Sequence, residues 1–123
     1  MRILIAEDDP VMLRAIATRL TNDGYEIATV ADGQEALKMF EEFNPDLIIT
    51  DILMPYTSGL ELIGVVKSNL LKKIPILVLS AYGQENTVLE AFDLGADDFL
   101  TKPFNPLELS TRVKRLLKKI SND

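Results

Sequence analysis

Neither cysteine nor histidine occurs in this sequence. The first absence leaves no disulfide framework and no thiolate metal site. The second removes the side chain that most often moves protons near neutral pH. Long apolar runs are missing too: stretches such as Ile76 to Leu79 fall far short of the roughly 20 residues a helical membrane span requires. The strand-like Arg2-Ile3-Leu4-Ile5-Ala6 starts so near the N-terminus that no secretion leader is expected, and a soluble, cytoplasmic protein is anticipated. Positive charge is in the minority. Thirteen Lys and Arg stand against 19 Asp and Glu, a net charge of −6, which disfavours direct binding to nucleic acid or an anionic membrane. The late basic residues Arg112, Lys114, Arg115, Lys118 and Lys119 fall near the end of an expected helix, where positive charge suits the macrodipole. Chemistry is left to carboxylates, lysine and hydroxyls.

What is present is a regular alternation. The chain of 123 residues, 47% of them hydrophobic, suits one domain with a real core. Arg2–Ala6, Glu26–Val30, Asp46–Thr50, Ile76–Ser80 and Asp98–Thr101 read as short strands rich in Ile, Leu and Val. Helical stripes lie between and after them: Met12, Leu13, Ile16 and Leu20; Ala36, Leu37, Phe40 and Phe43; Ile63 and Val66; Val88, Leu89 and Phe92; Leu109, Val113, Leu116 and Ile120. Asp9-Pro10 and Asn105-Pro106 each place a capping side chain before a proline suited to the first helical position. Asp32 with Glu35, and Ser58 with Glu61, have capping-box spacing. Gly24 and Gly95 suit left-handed C-caps, and Asn44-Pro45 stops the second helix. Strand and helix in turn imply an α/β fold, a parallel sheet with helices on both faces. The sequence ends with the fifth helix and Ser121-Asn122-Asp123, so any output domain is expected outside this chain.

In such sheets ligands bind beyond the carboxyl ends of the strands. Those ends carry Glu7-Asp8-Asp9, Asp51, Ser80 and Thr101-Lys102-Pro103. Singly each has a plain structural explanation, such as Asp9 capping a helix or Lys102 lying in solvent. Their convergence on one rim is harder to explain that way, because clustered carboxylates repel one another unless something positive neutralises them. All-oxygen ligation points to Mg²⁺, which keeps several waters and accepts phosphate oxygens. A carboxylate beside that ion can attack phosphorus while a lysine and a hydroxyl balance the transferred charge.

Glu7-Asp8-Asp9, Asp51 with Met54-Pro55 and Gly59, Ser80-Ala81, and Gly95 through Phe104 resemble, in order and spacing, the receiver domains of two-component response regulators. The resemblance covers residues 1–123. It implies a flavodoxin-like (βα)5 fold with strand order 2-1-3-4-5. It also implies a signalling switch, not an enzyme acting on external substrates, with Asp51 as the phosphoacceptor. The donor would be a sensor histidine kinase or a histidine phosphotransfer protein. Asp8, Asp9, Asp51 and the backbone carbonyl of Leu53 would hold Mg²⁺. Lys102 and Ser80 would contact the phosphoryl group, and Ser80 and Phe99 would act as the switch pair. The Lys102-Pro103 bond is expected to be cis. The segment from Gly95 to Leu109 looks especially like the winged-helix transcription-factor branch. That likeness implies a phosphorylation-dependent homodimer with Asp97, Asp98, Glu108, Arg112 and Arg115 at its interface, and an output domain elsewhere.

Departures from the family pattern are few. Serine stands at position 80 where threonine is common, Phe99 lacks a phenol, and Leu53 and Tyr82 flank the approach of hydrolytic water. Leu53 cannot hydrogen-bond that water, which points to a comparatively long-lived phosphorylated form. Three other readings are weaker. A flavin or nucleotide site would need glycine and hydroxyl donors where the first loop offers three negative charges. An aspartate-nucleophile phosphatase would need a general acid two residues after Asp51, where Leu53 stands. A degenerate, non-phosphorylatable receiver would be expected to lack one of Asp8, Asp9, Asp51, Ser80 and Lys102, all of which are present.

Overall fold

A computed structural model describes residues 1–121; Asn122 and Asp123, and the side chains of Ile120 and Ser121, lie outside it. Strands and helices alternate throughout: β1 (Arg2–Ala6), α1 (Pro10–Asn22), β2 (Glu26–Val30), α2 (Gly33–Glu42), β3 (Leu47–Asp51), α3 (Gly59–Ser68), β4 (Ile76–Ser80), α4 (Glu85–Asp93), β5 (Asp98–Thr101) and α5 (Pro106–Ser121). The strands form one parallel sheet in the order β2-β1-β3-β4-β5, so the expected architecture is the observed one.

Strand periodicity sends alternate side chains to opposite faces. On one face Leu4, Ala6, Ile48, Ile76 and Val78 pack with Ala36 and Phe40 of α2, Ile63 and Val66 of α3, and Val88 and Ala91 of α4. On the other Ile3, Ile5, Leu47, Ile49, Leu77 and Leu79 pack with Ile16 and Leu20 of α1 and Leu109 and Val113 of α5. The central strands β3 and β4 are therefore apolar on both faces, which is why they read as uninterrupted hydrophobic runs.

The caps form as their residues predict. Asp9 accepts from Val11 N–H at 3.0 Å, Asp32 from Glu35 N–H at 2.8 Å, Ser58 from Glu61 N–H at 3.2 Å and Asn105 from Leu107 N–H at 2.8 Å. Two elements differ from expectation. β3 begins at Leu47, because the Asp46 carboxylate turns back to accept from Arg2 N–H at 2.8 Å. In α4 the inward positions belong to Val88 and Ala91, whereas Leu89 is 63% exposed and Phe92 faces outward beside β5.

Candidate functional site

The carboxyl ends of β1, β3, β4 and β5 lie on one rim because the parallel register aligns them: Ala6 pairs with Thr50, Asp51 with Leu79, and Ser80 with Thr101. Glu7 continues β1, its N–H donating to the Val30 carbonyl at 3.1 Å, and it is fully buried. Asp51 ends β3 and is itself buried, its Oδ1 accepting from Ile52 N–H at 2.9 Å. Lys102 follows β5, with its N–H donating to the Ser80 carbonyl at 2.7 Å. Its ammonium donates to Glu7 Oε1 and lies 3.4 Å from Asp51 Oδ2. The Lys102-Pro103 peptide bond is cis.

Glu7, Asp8 and Asp51 each place a carboxylate oxygen within 4.8 Å of the others, so the structure gathers three acids at the mouth of the sheet. Burial raises the Glu7 carboxyl to about 7; the hydrogen bond from Lys102 opposes that rise and the charge of Asp51 adds to it. For Lys102 burial acts downward, but the bond to Glu7 and the charges of Asp51 and Glu7 outweigh it and hold the ammonium above its usual value. Three acids around one ammonium leave the rim net negative, and their oxygen donors suit a hard divalent cation in ligand type.

The residues singled out in the sequence separate into groups here. Asp8, Asp51 and Lys102 come together. Asp9, expected to share the metal with Asp8, is the N-cap of α1, and the acid beside Asp8 in the cluster is Glu7. Nothing in the bare run Glu7-Asp8-Asp9 shows which acid faces inward. The signal is that Glu7 directly follows four buried strand residues and so extends the buried strand. Leu53 lies two residues past Asp51 on the β3–α3 loop, with its side chain 53% exposed. Ser80, almost wholly buried, lines a cavity of about 290 Å³ with Val88, Phe92, Phe99 and Thr101.

The candidate interface charges are paired within the chain. Alternation along β5 turns Asp98 and Leu100 toward α5, and Asp98 accepts from Arg112 at 2.8 Å and Arg115 at 3.1 Å. Glu108 Oε1 is 4.0 Å from Arg112. Asp97 is held apart from this group, by Lys67 and by Ile76 N–H, both at 2.8 Å.

Fold and site together define a parallel α/β domain with an acidic group at the carboxyl rim of its sheet, and comparison with known proteins names the family. The response regulator receiver domain family matches residues 3–114, and this chain belongs to it. Response regulator RR06 of Streptococcus pneumoniae is 40% identical over 119 residues, covering 97% of this chain and 54% of that protein. The alkaline phosphatase synthesis transcriptional regulatory protein PhoP of Bacillus subtilis is 37% identical, covering 96% of this chain and 49% of that protein. The chain thus spans about half the length of the curated relatives it matches. Among solved structures, the Francisella response regulator 1452 receiver domain superposes with a TM-score of 0.88 at 34% identity, covering 97% of this chain and 98% of that one. The chemotaxis response regulator CheY4 of Vibrio cholerae does so at 0.86 and 33%, covering 94% and 97%. The chain is a receiver domain of the two-component response-regulator class. Among the described residues no helix is long and apolar enough to cross a membrane.

Proposed function

We propose that this receiver accepts a phosphoryl group on Asp51 with Mg²⁺ bound beside it. The observation that carries the reading is the placement of Lys102, whose ammonium bridges Glu7 and Asp51 within the three-acid group. Asp8, the Asp51 carboxylate and the Leu53 carbonyl would hold the ion. Glu7 stands behind them to anchor Lys102, and Asp9 serves as the helix cap. When bound, the ion would neutralise charge on the phosphoryl oxygens.

The donor is a phosphohistidine of a sensor histidine kinase or a phosphotransfer protein. An Asp51 oxygen attacks its phosphorus, the O–P bond forms as the N–P bond breaks, and the imidazole leaves with the electron pair. Lys102 then balances charge on one phosphoryl oxygen and Ser80 donates its hydroxyl to another. Because the acceptor is the protein's own aspartate, no turnover of an external substrate is expected. A groove of about 710 Å³ runs from the same rim along α1, with Val11, Met12, Pro103 and Phe104 at the rim end and Arg14 and Arg19 further along, and offers a mixed apolar and basic surface for the donor to dock. Movement of Ser80 and Phe99 biases a two-state equilibrium. The α4–β5–α5 face passes the change to an output domain, as the similarity to transcriptional regulators suggests. A homodimer on that face, and a cytoplasmic location, belong to the same reading.

The test is incubation with acetyl phosphate and Mg²⁺ followed by intact-mass measurement. A phosphate-sized gain is expected in the unmutated chain and none in Asp51→Asn. No gain in either, or an equal gain in both, overturns the reading.

A further inference from the structure

Gly33, in the first turn of α2, is buried, and a Cβ placed there would meet the Thr57 carbonyl oxygen at 1.8 Å and the Thr57 carbonyl carbon and Cβ at 2.5 Å. No side chain fits at those distances, so glycine is what lets the β3–α3 loop seat directly on α2. The loop's far end closes in the same way. A Cβ at Gly59 would lie 2.3 Å from the Asp51 carbonyl oxygen, and Gly59 N–H donates to the Ile52 carbonyl at 3.1 Å.

Between these two close approaches runs the segment that carries the Leu53 carbonyl. Thr57 is buried, and Met54 is partly buried against the core shared by α2, α3 and α4. Tyr56 is 82% exposed yet holds φ +68°, a conformation bulky residues adopt rarely and keep only where the surroundings over-determine it. Its side chain, out in solvent, cannot supply that constraint. The seat of Thr57 on Gly33 can.

We infer that Gly33 is a positioning residue for the metal site: by admitting Thr57 against α2 it sets the path of the β3–α3 loop and hence the place of the Leu53 carbonyl beside Asp8 and Asp51. This rests on the magnesium reading above. Helix propensity alone argues the other way, since alanine is the better helix former and would be harmless or favourable at an open position.

The experiment is calorimetric titration of Mg²⁺ alone into the full chain, with the melting temperature of the metal-free protein measured in parallel. Its variants are Gly33→Ala, Thr57→Gly and a control, Val113→Ala, which opens a cavity on the opposite face of the sheet. Gly33→Ala and Thr57→Gly should bind Mg²⁺ at least about tenfold more weakly, the scale of losing a supporting contact behind a metal ligand. Val113→Ala should melt lower yet bind as the unmutated chain does. Should Gly33→Ala not fold, Thr57→Gly decides, because it removes the Thr57 Cβ from that seat and frees the backbone that rests on Gly33, without adding an atom. Unchanged affinity in Thr57→Gly or in folded Gly33→Ala overturns the inference, as does equal weakening in Val113→Ala. Absence of Mg²⁺ binding by the unmutated chain defeats the magnesium reading itself, and this inference with it.

Discussion

Phe99 meets Phe92 edge to face, with ring centroids 5.9 Å apart and planes at 90°. Phe99 is 39% exposed and borders the cavity that Ser80 and Thr101 also line. Such a pair contributes about 0.5–1.5 kcal/mol beyond its burial, which a phosphoryl-directed movement of Ser80 can outweigh. With Mg²⁺ and beryllofluoride, a phosphoryl mimic, the Phe99 ring resonances should shift as the ring turns into the cavity. Ser80→Ala should abolish the shift. A ring environment identical in both states would exclude Phe99 as the switch.

In the proposed mechanism, Leu53 would set the lifetime of the phosphorylated form. Half-exposed and without a polar atom in its side chain, it cannot orient attacking water toward Asp51. Leu53→Asn should therefore speed loss of the phosphoryl group by roughly tenfold, equivalent to about 1.4 kcal/mol of barrier. The decay of intact phosphorylated mass after removal of donor measures it, and an unchanged or slower decay counts against this role.

Glu7 gives stability a pH dependence of defined sign. Its carboxyl is raised from 4.5 to about 7 by burial, so the folded chain binds that proton more tightly than the unfolded chain does. Its contribution is most favourable below the lower value, declines as pH rises between the two and is flat above the higher. In metal-free protein the stability of the parent minus that of Glu7→Gln should fall across this window, by up to about 3 kcal/mol. Denaturant titrations at a series of pH values supply the difference, and one that grows with pH would refute the assignment.

Asp98 holds two arginines from a largely buried position, so Asp98→Ala should cost about 2 kcal/mol by leaving the half-buried Arg112 with only the longer, more exposed contact to Glu108. If Arg112 and Arg115 exchange partners across a dimer, beryllofluoride should double the mass seen by light scattering in the parent and fail to do so in Asp98→Ala. A monomer in both states of the parent removes the dimer from the mechanism.

The fold was legible because its strands announce themselves. β3 and β4, apolar on both faces, cannot be mistaken for amphipathic surface elements, and capping residues mark several of the helix ends. What escaped were orientations that only tertiary contacts decide. Residues 88, 89 and 92 form a plausible apolar stripe, yet Ala91 takes an inward place, because a small residue carries little periodic signal. Asp46 keeps a backbone bond to Arg2, but its carboxylate takes the Arg2 N–H that a further strand residue would. Asp51, Asp8 and Lys102 were readable as strand-end polar residues. Glu7 was not, because three consecutive acids look alike until one is seen to prolong the buried run of β1 and another to cap α1. Asp97 likewise reads as free for a partner in the sequence, whereas Lys67, distant in the chain, already holds it.

Among the described residues the two packed layers have no buried residue in common, so the sheet works as a partition. A disturbance among α2, α3 and α4 reaches α1 and α5 through strands that both layers share, such as β1 between α1 and α2. The strand tips, where Ser80 pairs with Thr101, are the route the proposed switch would use. The rim that gathers the charges is thus also the passage between compartments, and a receiver built this way can repack one side while the other keeps its shape.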